Sequence, residues 1–132
     1  MTVNIPEKFS DLLSREKKAF ASLATVKKDG SPQLTPVWFD WDGTHLIINT
    51  ARGRLKDRIM RNHPAVTVLI VDPANPYRYL QIQGRVVAEA EEGARAGIDD
   101  LSQKYRGTVY QNYQGETRVI YKVLPERAQG NG

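Results

Sequence analysis

From Ala19 onward the alternation of apolar and polar positions is mostly that of strands. Ala19 to Val26 sets apolar residues against small ones, and Lys27-Lys28-Asp29-Gly30-Ser31-Pro32 carries the residues of a hairpin turn. The returning strand is read over Gln33 to Trp41, with Leu34, Val37 and Phe39 as its apolar members. Pro36 inside it has no N–H to give a neighbour, which places it at a sheet edge or bulge where backbone groups stay open to a ligand. Asp42-Gly43 turns the chain into the β-branched run His45 to Thr50, so a three-strand meander is expected. Ala65 to Val71 is almost continuously apolar, the pattern of a core strand covered on both faces. Turn residues Asp72 to Tyr77 lead to a long strand Arg78 to Ala90, where Gly84 marks a bend or a close backbone approach. Thr117 to Leu124 closes the sheet.

Helical spacing occurs in three places. Pro6 suits a first turn, and Phe9, Leu12 and Leu13 recur on one side, so residues 1–18 are read as an amino-terminal helix serving as lid or strut. After Thr50, an acceptable cap, Leu55 and Ile59 point one face of a short helix at the core until Asn62-His63-Pro64 ends it. Ala94, Ile98, Leu101 and Tyr105 define a longer helix over Glu91 to Arg106. Six strands with short antiparallel connections, interrupted by helices, predict a mainly β (α+β) fold, a six-stranded antiparallel barrel rather than a parallel α/β sheet. Residues 1–132 are read as one domain, with 128–132 a flexible polar tail.

Composition narrows the chemistry. With no cysteine, disulfides, thiol catalysis and cysteine-bound metals are excluded. The net charge of +4 favours encounter with anions without making a polycation. No signal-peptide core and no run long enough to span a membrane stand out, so a cytoplasmic protein is expected. His45 and His63 lie in different elements without carboxylates at ligand spacing, and no Gly-x-Ser-x-Gly elbow is present, so neither a metal site nor a hydrolytic triad is expected.

The most informative stretch is Asn49 to Pro64. It places Arg52, Arg54, Lys56, Arg58 and Arg61 around Gly53 at a strand-to-helix junction. Helix starts collect unpaired N–H groups and a partial positive charge, so cations beside one make a site for phosphate or carboxylate. Helical geometry puts Arg52 with Lys56 and Arg54 with Arg58 and Arg61. The spacing matches neither a P-loop nor a dinucleotide fingerprint. Trp38, Trp41, Tyr77 and Tyr79 are candidates for walls around a planar ligand, competing with a reading as core or interface. Anion anchors and flat walls without an acid, base or nucleophile favour a cofactor that carries the chemistry. No catalytic residue is assigned.

Four segments in consistent order carry a family resemblance. They are Ala21-Ser22-Leu23-Ala24-Thr25 with Asp29-Gly30-Ser31-Pro32-Gln33; Pro36-Val37-Trp38-Phe39; Asn49 to Lys56 running to Asn62-His63-Pro64; and Tyr79 to Val86. The chain resembles the split β-barrel flavin and deazaflavin oxidoreductases of the pyridoxamine 5′-phosphate oxidase-like superfamily, the FMN-binding split barrel type. Its Thr-x-Arg-Gly-Arg-x-Lys form looks most like the branch that uses coenzyme F420. That resemblance implies that Thr50, Ala51, Arg52, Arg54 and Lys56 hold the cofactor phosphate, with Asn49 and Leu55 in the same stretch. It also implies that Gln33, Leu34, Thr35, Pro36 and Val37 pass along the ring system. It further implies a homodimer with cofactor at the subunit interface, where Tyr77, Arg78 and Tyr79 act. Leu124-Pro125-Glu126-Arg127 departs from the Arg-x-Pro segment of the full pyridoxamine phosphate oxidases, so their reaction is not expected.

The function expected is a reductase passing a hydride from reduced F420 to an unsaturated organic acceptor. The alternative within the fold is an FMN-binding oxidase or flavin reductase. From another class, the alternative is a non-enzymatic module for a small ligand or for single-stranded nucleic acid, and nucleic-acid affinity would fall steeply with salt.

Overall fold

A computed structural model describes residues 4–132. In order, the chain forms a 3-10 helix Glu7–Leu13, β1 Ala21–Val26, β2 Pro32–Val37, β3 Phe39–Trp41, β4 Leu46–Ala51 and α1 Leu55–Asn62. It continues with β5 Ala65–Asp72, β6 Asn75–Ala90, α2 Ala94–Arg106 and β7 Arg118–Asn131. All strands belong to one antiparallel sheet in the order β2-β1-β5-β6-β7-β4-β3. Among the described residues there are seven strands rather than six. The expected Gln33–Trp41 strand breaks at Trp38, and its halves lie at opposite edges of the sheet. Instead of a three-strand meander there are two hairpins, β1–β2 and β3–β4, at the two ends of the strand order.

Because β2 and β3 are separated by one residue yet occupy opposite edges, the sheet must curl until its edges meet at Trp38. No ladder joins β2 to β3, so the barrel stays open along that seam. Side chains of α2 bridge it. Lys104 Nζ donates to the Phe39 carbonyl at 2.8 Å, and the Tyr105 hydroxyl donates to the Ala19 carbonyl at 2.7 Å. Phe20, Tyr105 and Trp38 stack in sequence, with ring centroids 5.1 and 5.3 Å apart.

The barrel interior is filled from alternating strand positions: Leu23, Val68, Ile70, Leu80, Ile82, Val119, Tyr121, Val123, Leu46 and Ile48, each at or near zero exposure. Phe9, Leu12 and Leu13 plug one end from the 3-10 helix, which is shorter than the 1–18 helix expected; positions 1–3 lie outside the described residues. β5 is buried on one face only, since Thr67, Leu69 and Val71 remain partly exposed. The expectation that both its faces are covered therefore fails for the single chain. Gly84 sits at a register shift in β6, where an added Cβ would lie 2.6 Å from the Leu124 carbonyl oxygen. Beyond that bulge, β7 continues through Ala128–Gln129–Gly130–Asn131, opposite Ile82 to Tyr79. The carboxy-terminal residues read as a tail are thus paired strand, because the long β6 offers partners all the way to Tyr79. Among the described residues no helix is long and apolar enough to cross a membrane.

The seam gives stability an alkaline dependence. Burial lowers the Lys104 ammonium from 10.5 to about 8, with residue exposure of only 4%. Between those two values the unfolded chain holds a proton that the folded one has released, so stability rises with pH. The effect is on the order of 3 kcal/mol across the window. Lys56, also lowered, adds to the same limb. Tyr105 acts oppposite in sign: burial raises it from 10.0 to about 12, so its contribution is lost above pH 10. Urea denaturation at pH 7, 9, 10 and 11 is expected to show stability rising and then falling, with the rise reduced in Lys104→Met. A rise of equal size in that variant would remove Lys104 as its cause.

Candidate functional site

β4 ends at Ala51, and Arg52-Gly53-Arg54 carries the chain into α1. Gly53 takes φ of +90°, a backbone state that side-chain-bearing residues rarely adopt. Asp57, on the first turn of α1 and 1% exposed, folds back over the turn. It accepts from the Gly53 N–H at 2.9 Å, Arg52 Nη1 at 3.0 Å and the Tyr121 hydroxyl at 2.5 Å. Desolvation pushes this carboxyl up, but the Tyr121 hydroxyl, the Gly53 amide and Arg52 together hold it below the usual carboxylate range. The helix is capped by this arrangement rather than by Thr50; Arg54 is the N-cap residue and makes no side-chain cap bond.

The two basic side chains after the turn have no such partners. Among the described residues Arg54 and Lys56 make no ion pair, and both line a cleft of about 350 Å³. Burial and the charges of Arg54 and Arg118 hold the Lys56 ammonium below its ordinary value. Arg118, 4% exposed, reaches the same cleft from the start of β7. Its Nε donates to Asn49 Oδ1 at 3.0 Å and its Nη1 pairs with Glu116 at 3.0 Å, while Asn49 Nδ2 donates to the Ala94 carbonyl at 2.8 Å. Thr50 also lines the cleft, and its buried hydroxyl has no hydrogen-bond partner among the described residues. Such a group has an unmet bonding capacity that a ligand oxygen can satisfy.

Aromatic rings form the other wall. Phe20 is 57% exposed, Trp38 stacks on Tyr105, and Tyr110 meets Trp38 edge-on at 6.4 Å. Pro36 and Val37 bring the end of β2 to the same cleft. A second groove adjoins it, sharing Arg54, Tyr110 and Asn112.

Of the residues the sequence singled out, Pro36, Val37, Asn49, Thr50, Arg54 and Lys56 come together in this cleft. Ala51 and Arg52 face the adjoining groove. Arg52 is held by Glu89 at 2.8 Å, Glu91 at 2.8 Å and Asp57 at 3.0 Å, and is not paired with Lys56 on one face as helical spacing suggested. Leu55 lies in a separate groove with Arg58. Along β2, Gln33 accepts from the Thr25 hydroxyl at 3.4 Å, Leu34 points outward at 68% exposure, and the Thr35 hydroxyl is buried without a partner. Tyr77, Arg78 and Tyr79 lie in the first part of β6, outside the cleft; Tyr77 is 79% exposed. Arg78 is locked to Asp11 at 2.6 Å and Asp72 at 2.9 Å. Trp41 belongs to another pocket, beside Leu13 and Gly43. Sequence reasoning missed Phe20, Arg106, Tyr110, Asn112 and Arg118.

A family model described as pyridoxamine 5′-phosphate oxidase matches residues 5–132. The chain belongs to that family. A solved structure named F420 reductase is 34% identical with a TM-score of 0.85, over 95% of this chain and 98% of that one. A putative pyridoxamine 5′-phosphate oxidase from Listeria innocua is 24% identical with a TM-score of 0.72, over 94% and 95% of the two chains. A conserved hypothetical protein from Mycobacterium tuberculosis is 20% identical with a TM-score of 0.75, over 98% and 86%. The latter two share the fold. Pyridoxamine 5′-phosphate oxidase-like proteins bind flavins, and the family is one of flavin-type oxidoreductases.

Proposed function

We propose that the protein is a cytoplasmic, homodimeric reductase that uses F420H2 to reduce an unsaturated organic acceptor. The observation that carries this reading is the cleft's donor set. Arg54, Lys56 and Arg118 converge beside the unpartnered Thr50 hydroxyl, with an aromatic wall opposite. Those residues fit a ligand that joins a phosphate to a flat ring. Reduced deazaflavin, when bound, supplies the hydride.

The chain's own residues bind and orient. Arg54 and Lys56 anchor the anionic group, Thr50 donates its free hydroxyl, and Asn49 fixes Arg118 by accepting from its Nε. Pro36 exposes β2 backbone beside the cleft, and Trp38, held by Tyr105, gives a fixed apolar surface that limits water. The likeness to a structure named F420 reductase at 34% identity supports the deazaflavin choice.

Dimerisation is supported by the outer face of β2–β1–β5. Leu34 is 68% exposed, and Leu69 stands opposite Ser22 on the same side. A monomer by light scattering at micromolar concentration would remove the dimer from the proposal.

Fluorescence titration of purified protein with F420, and in parallel with FMN, tests cofactor choice. Tight F420 binding with weak FMN binding is expected. The reverse moves the chain to the FMN reading, and failure of both overturns the oxidoreductase assignment.

A further inference from the structure

The face of α1 turned away from the cleft carries a second groove, of about 560 Å³. Leu55, Arg58, Ile59 and Asn62 recur at three- and four-residue intervals along that face and line it. Leu55 is 37% exposed, an apolar side chain left open on a helix whose opposite side meets the barrel core through Met60. Across the groove stand Lys27 and Lys28, presented by the β1–β2 turn, and His63 closes the end of the helix.

Two features make this more than a solvated basic face. The first is its walls: Leu55, Ile59 and the methylene stems of the lysines give a concave, aliphatic lining. The second is its charge. Lys27, Lys28 and Arg58 make no ion pair among the described residues, and no carboxylate lines the groove. Asp29, beside Lys28, is turned back onto its own turn, accepting from the Ser31 hydroxyl at 2.6 Å and the Ser31 N–H at 2.9 Å, and Asp57, beside Arg58, is held by Gly53, Arg52 and Tyr121. An aliphatic floor rimmed by three unpaired cations is complementary to a single chain ending in an anion.

We propose that this groove is a binding site for a free aliphatic carboxylate, with its chain along Leu55 and Ile59 and its head group among Lys27, Lys28 and Arg58. The site is separate from the cofactor cleft, which α1 reaches through Arg54 and Lys56 on its other side. Concavity favours one inserted chain over a flat anionic membrane surface, and the size lies within the range of small-molecule pockets.

Isothermal titration with octanoate, decanoate and dodecanoate, below their micellar concentrations, tests it. Affinity is expected to rise about fourfold for each added methylene, the value of burying that group. Lys27→Glu/Lys28→Glu, with an unchanged urea midpoint as its folding control, is expected to weaken dodecanoate binding about tenfold or more. Arg54→Ala/Lys56→Ala should retain it. Four outcomes overturn the proposal. These are affinity independent of chain length, no effect of the lysine replacements, and binding to phosphatidylserine vesicles without binding to the monomeric carboxylates. The fourth is an equal loss of F420 affinity in the lysine variant, which would assign those residues to the cofactor instead.

Discussion

Replacing Asp57 with Ala is expected to lower the unfolding free energy by about 2–4 kcal/mol, more than any other single change at the turn. The carboxylate is 1% exposed and accepts from three donors, the Gly53 amide and the Arg52 guanidinium of the turn itself and the Tyr121 hydroxyl of β7. Without it the Gly53 N–H loses its acceptor. Arg52 keeps Glu89 and Glu91, and the Tyr121 hydroxyl keeps the Asp57 backbone carbonyl at 3.1 Å, so the loss stays below that of a wholly unpaired buried charge. Asp57→Asn retains an acceptor but turns an amide toward Arg52, and should lose roughly half as much. The sign with pH follows from the lowered carboxyl. Its stabilising contribution is full above the ordinary aspartate value of 3.8 and is lost as pH falls through the lower folded value. Urea denaturation at pH 7 and across the acid limb measures both. A midpoint in Asp57→Ala equal to that of the unaltered protein would show that the turn holds itself without this carboxylate.

The same residues show how far local sequence reaches. The Gly84 bulge was legible because a glycine inside a strand marks a close backbone approach, here to Leu124. The strand-turn-helix at Asn49 to Asn62 and the β1–β2 hairpin were legible because each depends on neighbours in sequence: a glycine with positive φ, a turn. Arg54 and Lys56 could be named for the same reason. Arg52 could not be told apart from them, since the acids that neutralise it, Glu89 and Glu91, come from the far end of β6. Arg118 gave no local signal; it becomes part of the cleft through the β4–β7 register, which sets it opposite Ala51. The seventh strand was hidden by continuity, because Gln33 to Trp41 has the pattern of one strand. The break at Trp38 arises only when the closed curvature of the sheet requires one chain segment to serve both edges.

That seam also explains why the cleft forms where it does. An open barrel leaves the edge strands β2 and β3 without a common ladder, and α2 fills the gap with Lys104 and Tyr105. The Tyr105 ring then fixes both Phe20 and Trp38, the apolar half of the site, while the turn after β4 supplies the charged half. Both halves are set by fold-level contacts rather than by a ligand, so the cleft is formed before anything enters it.

Arg54→Ala/Lys56→Ala is expected to weaken F420 binding by about 3–5 kcal/mol, roughly a hundred- to several-thousandfold, on the cofactor reading proposed above. Each side chain is free to make a charge-assisted hydrogen bond, worth about 1.5–3 kcal/mol when the acceptor is anionic. The double loss should exceed the sum of the two single losses. Arg54 and Arg118 disfavour the Lys56 ammonium in the free protein, so removing Arg54 makes Lys56 easier to charge and partly compensates. That coupling also predicts a pH effect. An anion in the cleft favours the protonated amine, so affinity falls as pH rises through the lowered Lys56 value, and Lys56→Ala flattens that alkaline limb. Arg52→Ala gives the contrast: its three carboxylate partners predict a loss of stability with a much smaller change in affinity. Fluorescence titration of Arg54→Ala, Lys56→Ala, the double variant and Arg52→Ala, with urea midpoints alongside, separates these effects. Unchanged affinity in the double variant would sink the assignment of Arg54 and Lys56 as the anion anchor, and would leave Arg118 as the cation to test next.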